Sequence, residues 1–496
     1  MPAASKTSLL LLLLLLATAA CVGAVTLLMW VVAPTHSALY VLEQARTRTP
    51  GELIRYAEGR LEGHGHLQAL ALPALGWVQR RIERPVPAGA LPTLGKGQQA
   101  NALWPVAYDD NGVPLAAQPL RERWVAPVPD RQVHSSAELA HALATAMPGQ
   151  TVEIAPGDYR IDQRLQTGHA GTRLQPIVVR AAQPGGVTLR ADTVEAIVVN
   201  QPYWVFENLT LRGVCAHDSR CEHAFHVVGA ARATVLRNNR IEDFNAQIKV
   251  NGEEGHWPND GLVQFNTLTD TRARQTDRPV TPVDLVAASG WRLADNLVTG
   301  FVKAGGDRIS YGLYMKGGGH GGRIERNLVV CSPADISRPG VRVGLSFGGG
   351  GTAAENCRDA RCEAEHSGGL MANNVVAHCN DFGIDVFRSS NATVAFNTLV
   401  NTAGIDVRRV PASAALIGNV LDGRLRTRDG GQASTQSNLV TTLPAVMQAP
   451  DRLALRWTAA PDPVPAIAAV TDDFCADRVG PLRWPGAIAK QRACGP

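Results

Sequence analysis

Seven dipeptides of this chain pair an apolar residue with one that can carry charge, a proton or a hydrogen bond. They are Phe225-His226, Ile248-Lys249, Val283-Asp284, Leu313-Tyr314, Leu345-Ser346, Ile384-Asp385 and Ile405-Asp406, aligned by their apolar positions. Side chains alternate along a strand, so where the first residue faces a core the second faces out. One outward row then reads His226, Lys249, Asp284, Tyr314, Ser346, Asp385, Asp406. Two residues further on, a second row holds Val228, Asn251, Val286, Lys316, Gly348, Phe387 and Arg408, with Arg388 at its edge. Stacked strands lie about 4.8 Å apart. At that spacing Asp385 and Asp406 come near the roughly 5–5.5 Å of a carboxylate pair in a retaining glycoside hydrolase. His226, Lys249, Asp284, Asp385, Asp406 and Arg408 would offer a polar ligand a continuous line of contacts. The plainer reading is a solvated face with no ligand.

Such rows need a scaffold that repeats. An asparagine between two short apolar runs recurs at Asn208, Asn239, Asn266, Asn296, Asn327, Asn374, Asn397, Asn419 and Asn438. The intervals, by subtraction, are 31, 27, 30, 31, 47, 23, 22 and 19 residues. A period of that size with strand-forming units signals a solenoid. The expected fold is all-β, a right-handed parallel β-helix with an N-terminal helical cap and an N-terminal transmembrane anchor. Asparagines stacked in successive turns hydrogen-bond one another, so their role reads as structural. The 47-residue interval holds Gly348 to Gly351 and the Cys357/Cys362 insert, a coil with a large loop edging one face. Ser135-Ser136-Ala137-Glu138 is a capping box that opens a helix over Leu139 to Ala146, suited to closing the first coil. After Leu443 the period is lost, and the tail is expected to fold back over the last coil.

Upstream, Thr49-Pro50-Gly51-Glu52 has the form of a helix start, and Gly63, Gly65 and Pro73 interrupt the chain after it. Residues 85–130 are rich in Pro and Ala and read as a spacer. Residues 8–32 are almost wholly apolar and preceded by Lys6. That length can span a bilayer, and the charge predicts that the bulk of the chain lies beyond the membrane. The expected organisation is an anchor over 1–33 in the inner membrane, a membrane-proximal segment over 34–130, the β-helix over 131–442 and a C-terminal cap over 443–496. The main domain would then lie in the periplasm or outside the cell. A cleavable signal peptide is the rival reading. Apart from Cys21, eight cysteines remain. In an exported chain an even number reads as disulfides, and proximity pairs Cys215–Cys221, Cys357–Cys362 and Cys475–Cys494, leaving Cys331–Cys379. A formal charge of +4 gives no basic stripe for nucleic acid.

The stretch from Ser135 to Gly213 resembles the polysaccharide lyase family that contains chondroitinase B and alginate lyases. The matching pieces are Pro148-Gly149-Gln150-Thr151-Val152, Gly157-Asp158-Tyr159, Gln175-Pro176-Ile177-Val178-Val179-Arg180-Ala181, Pro184-Gly185-Gly186-Val187 and the run from Trp204 to Gly213. The resemblance covers about 80 residues and specifies the coil more than the chemistry. It implies β-elimination on an acidic polysaccharide that contains uronic acid, with a Lys base and an Arg on neighbouring coils. Lys316 is similar to the Lys position and Arg388 to the Arg position, although the Leu345–Gly349 strand intervenes between them. Elimination needs a base for the proton beside the carboxylate and a cation to neutralise that carboxylate. Lys316 and Arg388 would supply these, with Tyr314 as auxiliary acid or base and His320, in a Gly-rich turn, near the face. The family often holds calcium, but the run Asp307-Arg308-Ile309-Ser310-Tyr311 has no acidic cluster, so no metal ligand is assigned. Two other readings stand beside this one. One is a glycoside hydrolase using Asp385 and Asp406, since Gly319-His320-Gly321 and Arg323-Ile324 resemble pectin hydrolases. The other is a non-catalytic glycan-binding module.

Overall fold

Each coil closes on a two-residue turn, in which one residue in the left-handed region is followed by a buried asparagine. Phe265, Asp295 and Arg326 have φ of +57°, +57° and +55°, and Asn266, Asn296 and Asn327 follow them, fully buried. The Asn266 N–H donates to Asn296 Oδ1 at 2.9 Å, and Asn296 N–H to Asn327 Oδ1 at 3.0 Å. The same bond continues through Asn374, Asn397 and Asn419 to Asn438. Buried backbone groups that the turn strips of strand partners are satisfied this way along the ladder. The ladder starts at Asn239, one coil later than the sequence suggested. Asn208 has φ +65° and occupies the preceding, left-handed position. It accepts from Asn238 Nδ2, while Leu209 N–H takes the ladder bond to Asn239.

The structure is a computed structural model that describes residues 53, 54, 57, 58, 61, 65–82, 84–100, 103–117, 124–336, 340–349, 352–490 and 494. Three parallel sheets of 12, 10 and 11 strands run along a β-helix. The ten-stranded sheet comprises β1 (Leu165–Gln166), β2 (Glu195–Val199), β3 (His223–Val228), β4 (Ala246–Asn251) and β5 (Val283–Val286), then β6 (Ile309–Lys316), β7 (Val341–Phe347), β8 (Ile384–Phe387), β9 (Gly404–Arg408) and β10 (Arg424–Arg428). Phe225, Ile248, Val283, Leu313, Leu345, Ile384 and Ile405 pair in register and point into one continuous apolar core. Helix α2 (Ser136–Thr145) packs Leu139, Ala142 and Leu143 onto the first coil. Its cap is the expected box, with Glu138 N–H on Ser135 Oγ at 3.1 Å and Glu138 Oε2 on His134 N–H at 2.9 Å.

Three expectations need correction. Residues 85–130 are no loose spacer: the described part belongs to the same unit as the solenoid. Trp104 stacks on Phe265 at 5.0 Å, and Arg237 Nη2 donates to the Trp104 carbonyl at 2.6 Å. The stretch lacks a period because it straps several coils and forms none of its own. The tail does not lie over the last coil. Leu443, Met447, Leu453, Trp457 and Phe474 pack on the outer face of the eleven-stranded sheet, against Leu328, Val375, Val400 and Val420. Those outward valines and leucines are the cause, since an apolar outer face must be covered. Separately, in the unit formed by residues 1–84, helix α1 (Gly65–Ile82) runs through Pro73. Pro73 removes one hydrogen bond from a helix whose last turn carries Arg80 and Arg81, which suit its negative end. The apolar segment 8–32 and most of the helix expected after Thr49 lie outside the described residues. Among the described residues no helix is long and apolar enough to cross a membrane. All four expected disulfides are formed.

Candidate functional site

The outward row is assembled as its register requires. His226 pairs with Lys249, Lys249 with Asp284, Asp284 with Tyr314, Tyr314 with Ser346, Ser346 with Asp385, and Asp385 with Asp406. The row lies on the outer face of the ten-stranded sheet. Connections to the twelve-stranded sheet, notably 252–261 and the insert with its described part 352–366, leave at one edge of this sheet, and 270–282 and 300–308 enter at the other. Arg358 fixes the insert in place. Its Nη1 donates to Asn259 Oδ1, the Ala287 carbonyl and Ser289 Oγ, each at 3.0 Å, and its guanidinium lies 4.8 Å from the Trp257 ring.

The row is far less solvated than a bare sheet face. Asp284 and Tyr314 are 3% exposed, and Ser346, Asp385 and Asp406 are 0% exposed. Within the row Lys249 Nζ binds Asp284 Oδ2 at 2.5 Å. Burial pushes the Asp284 carboxyl up, but Lys249 and Lys316 outweigh it and hold the group below the ordinary carboxylate value. Asp284 Oδ1 is buried with no hydrogen-bond partner. Lys316 is half-buried, with Nζ 4.8 Å from the centre of the Tyr314 ring. Among the described residues no carboxylate is in ion-pair contact with it. Its neighbour Gly317 donates N–H to Glu365 Oε2 at 3.1 Å, so the buried Glu365 ties the lysine turn to the insert.

Tyr314 is not free for proton chemistry. Its hydroxyl donates to the Gly349 carbonyl. Burial, then Tyr311 and Asp284, push its pKa well above the usual value. Tyr311 stacks on it at 4.5 Å and 9°. The sequence pattern missed Tyr311, which strict alternation sends inward. The strand slips at Gly312, where a Cβ would come within 3.1 Å of Val329 and 3.0 Å of Phe301 in the core. Gly312 and Leu313 both face in, and Tyr311 joins Tyr314 outside. Arg388, with φ +47°, turns its Nη2 to the Cys362 carbonyl at 2.9 Å. It lies on the coil of β8, two strands beyond the coil of Lys316. His320 is exposed in a short strand, Gly319–His320, paired with His366–Ser367.

The two ends of the row differ. Towards the C-terminus Arg408 clamps Asp385 with two bonds, at 2.9 and 2.6 Å. Arg428 and Arg426 hold Asp406 at 2.8 and 3.2 Å. Burial raises the Asp406 pKa against the pull of Arg428. Both carboxylates are roofed by guanidinium groups and present no oxygen to a sugar, so the paired-aspartate arrangement for hydrolysis is absent. Arg426 and Arg428 fall on a strand beyond the aligned repeat, and sequence reasoning missed them. Calcium does not fit this face either. It requires several free oxygen ligands, whereas Asp284, Asp385 and Asp406 are each engaged by Lys or Arg. Towards the N-terminus His226 contacts Glu195 and Asn251, with His223 beside it. Burial lowers His223 to about 4, and the His226 hydrogen bond lowers Glu195 to about 2.

No protein-family model matches the sequence, and no curated protein does. Solved structures do match by shape. Pectate lyase Pel9A superposes with a TM-score of 0.51 at 13% identity, over 73% of this chain and 97% of that one. A PL6 family polysaccharide lyase from Pseudopedobacter saltans matches with a TM-score of 0.38 at 14% identity, over 68% and 97%. An alginate lyase from Paenibacillus sp. gives 0.37 at 16% identity, over 62% and 95%. The likeness to the pectate lyase is one of fold, the parallel β-helix.

Proposed function

We propose that the outer face of the ten-stranded sheet binds an acidic polysaccharide and that the chain cleaves it by β-elimination at a uronic acid. The observation that carries this reading is Lys316, a half-buried lysine on the outer face of the sheet beside the Tyr314 ring, with no carboxylate in ion-pair contact among the described residues. The fold shared with a pectate lyase agrees with it. Lys316, as its neutral amine, takes the proton from the carbon beside the uronate carboxylate. The electrons of that C–H bond form the double bond as the bond to the glycosidic oxygen breaks, and the leaving oxygen takes its proton from the Lys316 ammonium so formed or from water. The Tyr314 ring, 4.8 Å from the lysine Nζ, positions the base. Arg388 lies about 9–10 Å along the sheet, two strand spacings away. That is the reach of neighbouring sugars, so Arg388 and the Arg408–Arg428 cluster attract the polymer's carboxylates. Neutralisation of the developing charge falls to whichever of these cations the reacting sugar meets.

Elimination leaves a carbon–carbon double bond that absorbs in the ultraviolet, and hydrolysis leaves none. Acidic polysaccharides incubated with the full chain should yield absorbing products. Lys316→Ala should lower the rate at least about 100-fold with unchanged circular dichroism. Reducing sugar without absorbance would sink the elimination chemistry, and retention of polymer without product would leave a binding module.

Residues 8–32 are proposed to anchor this domain to the inner membrane, with the domain in the periplasm or outside the cell. The four disulfides favour an oxidising compartment. Deleting residues 1–33 should move the protein from the membrane to the soluble fraction, and an unchanged distribution would refute the anchor.

A further inference from the structure

The N-terminal end of the row holds a histidine pair that elimination does not use. His223 and His226 lie on β3, and Glu195 lies on β2 directly opposite His223. One donor atom from each of the three residues lies within 4.8 Å of the other two. The imidazoles stand 5.0 Å apart at 54°, so they converge without stacking flat.

The partners of the outer nitrogens determine which lone pairs are available. His223 Nδ1 faces the Ala246 carbonyl at 3.3 Å. A carbonyl only accepts, so Nδ1 carries the hydrogen and Nε2 keeps its lone pair. His226 Nε2 lies 2.6 Å from Asn251 Oδ1. The Asn251 Nδ2 donates to the Gly252 carbonyl at 3.0 Å, which fixes the amide with its oxygen towards the histidine. His226 Nε2 therefore donates, and its Nδ1 lone pair is aimed at Glu195 Oε1, 2.5 Å away. A lone pair and a carboxylate oxygen share a cation at such a contact; at 2.5 Å that cation is a proton, and a metal ion taking its place parts the two atoms to about 3.4 Å. Glu222 Oε2 stands 3.8 Å from His223 Nε2, within reach as a fourth ligand. Arg278 holds the other oxygen of Glu222, and Arg164 reaches Glu195 at 3.4 Å, each from the exposed side. Lys249, the cation on the next coil, is turned to Asp284.

From this geometry we infer that Glu195, His223 and His226 form a binding site for a divalent transition ion of the zinc class. Two imidazoles and one carboxylate are a donor set for zinc and its first-row neighbours, whereas calcium and magnesium prefer oxygen alone. A ligating histidine that gives its second N–H to a carbonyl is the usual outer shell of such sites, and both histidines have one. Tetrahedral ligands at about 2.1 Å from one ion stand about 3.4 Å apart, so separations of up to 4.8 Å close by as much as about 1.4 Å while the His226–Glu195 pair opens by about 1 Å. The inference does not depend on the elimination chemistry.

Full-length protein stripped with a chelator should bind one equivalent of Zn²⁺ per chain in calorimetric titration. Co²⁺ should bind in its place with a visible spectrum, and Ca²⁺ should not compete. His223→Ala and His226→Ala should abolish binding, and the exposed His320→Ala should leave it unchanged. Asn251→Ala, which removes only an outer-shell acceptor, should weaken it about 10–100-fold. Binding that survives His226→Ala, or no stoichiometric binding at all, overturns the site. If the histidine variants do not fold, a folded Asn251→Ala with wild-type affinity overturns it equally.

Discussion

A lysine general base on a protein surface needs something to hold it, and Lys316 is held by a ring instead of a carboxylate. A cation above an aromatic face gains about 0.5–2 kcal/mol, enough to bias its rotamers without neutralising it. A carboxylate partner in the same place would fix the lysine more firmly but tie up the ammonium. Tyr314 is thus a positioning residue, and its hydroxyl does a separate job on the Gly349 carbonyl. The two jobs come apart on substitution. Tyr314→Phe keeps the ring and should keep kcat within a few-fold, while losing about 1 kcal/mol of stability with the hydrogen bond. Tyr314→Leu removes the ring and should lower kcat/KM at least tenfold. A loss of activity in Tyr314→Phe as large as in Lys316→Ala would mean that the hydroxyl transfers a proton after all.

At the scale of elements, the insert tied down by Arg358 and Glu365 edges the row, and it ends on a histidine. The His366 ring stacks on Phe347 at 4.7 Å and accepts the Gly322 N–H on Nε2 at 3.1 Å. Its Nδ1 is buried with no partner. Burial lowers its pKa to about 3. The unfolded chain takes up a proton near pH 6.5, but the folded one stays neutral until about 3, so stability falls as pH falls through that window. From pH 7 to 5 the cost is about 2 kcal/mol. Urea unfolding of the wild type should show that loss, and His366→Gln should be less sensitive to the same change by about that amount. Equal slopes would mean that His366 titrates normally. Nothing in the sequence announced this residue, because the insert has no period and its pairing with Gly319–His320 is set only in three dimensions. The register of the row was legible for the opposite reason. Its residues repeat with every coil, and one apolar position fixes the side on which the next must stand. Burial was not legible. Alternation put Asp385 and Asp406 outward, but the arginines that roof them come from later strands, and two of those lie beyond the repeat that the pattern reaches.

The whole solenoid is a stack in which each coil touches only its neighbours, and such stacks fray from their ends. Two non-repetitive segments counter this by running across coils, and Lys96 joins them. Its Nζ binds Asp295 Oδ1 on the ladder turn at 2.9 Å and the Phe474 carbonyl of the tail at 2.5 Å. Arg326 closes the knot, with Asp295 at 2.9 Å on one side and Asp472 of the tail at 3.0 Å on the other. Burial works against the Lys96 ammonium and lowers its pKa, while Asp295, facing two cations, is held far below the ordinary carboxylate range. Removing the acid strands the buried Lys96 and leaves Arg326 only Asp472, whereas removing the lysine leaves the acid still paired to Arg326. Asp295→Ala should therefore cost about 3–5 kcal/mol and Lys96→Ala less. Limited proteolysis distinguishes a clamp from local packing. In a clamp, Lys96→Ala exposes cleavage sites both in 85–117 and in 443–490 while the central coils stay protected. Protection of the tail equal to wild type would show that the apolar face of Leu443, Trp457 and Phe474 holds it without the lysine.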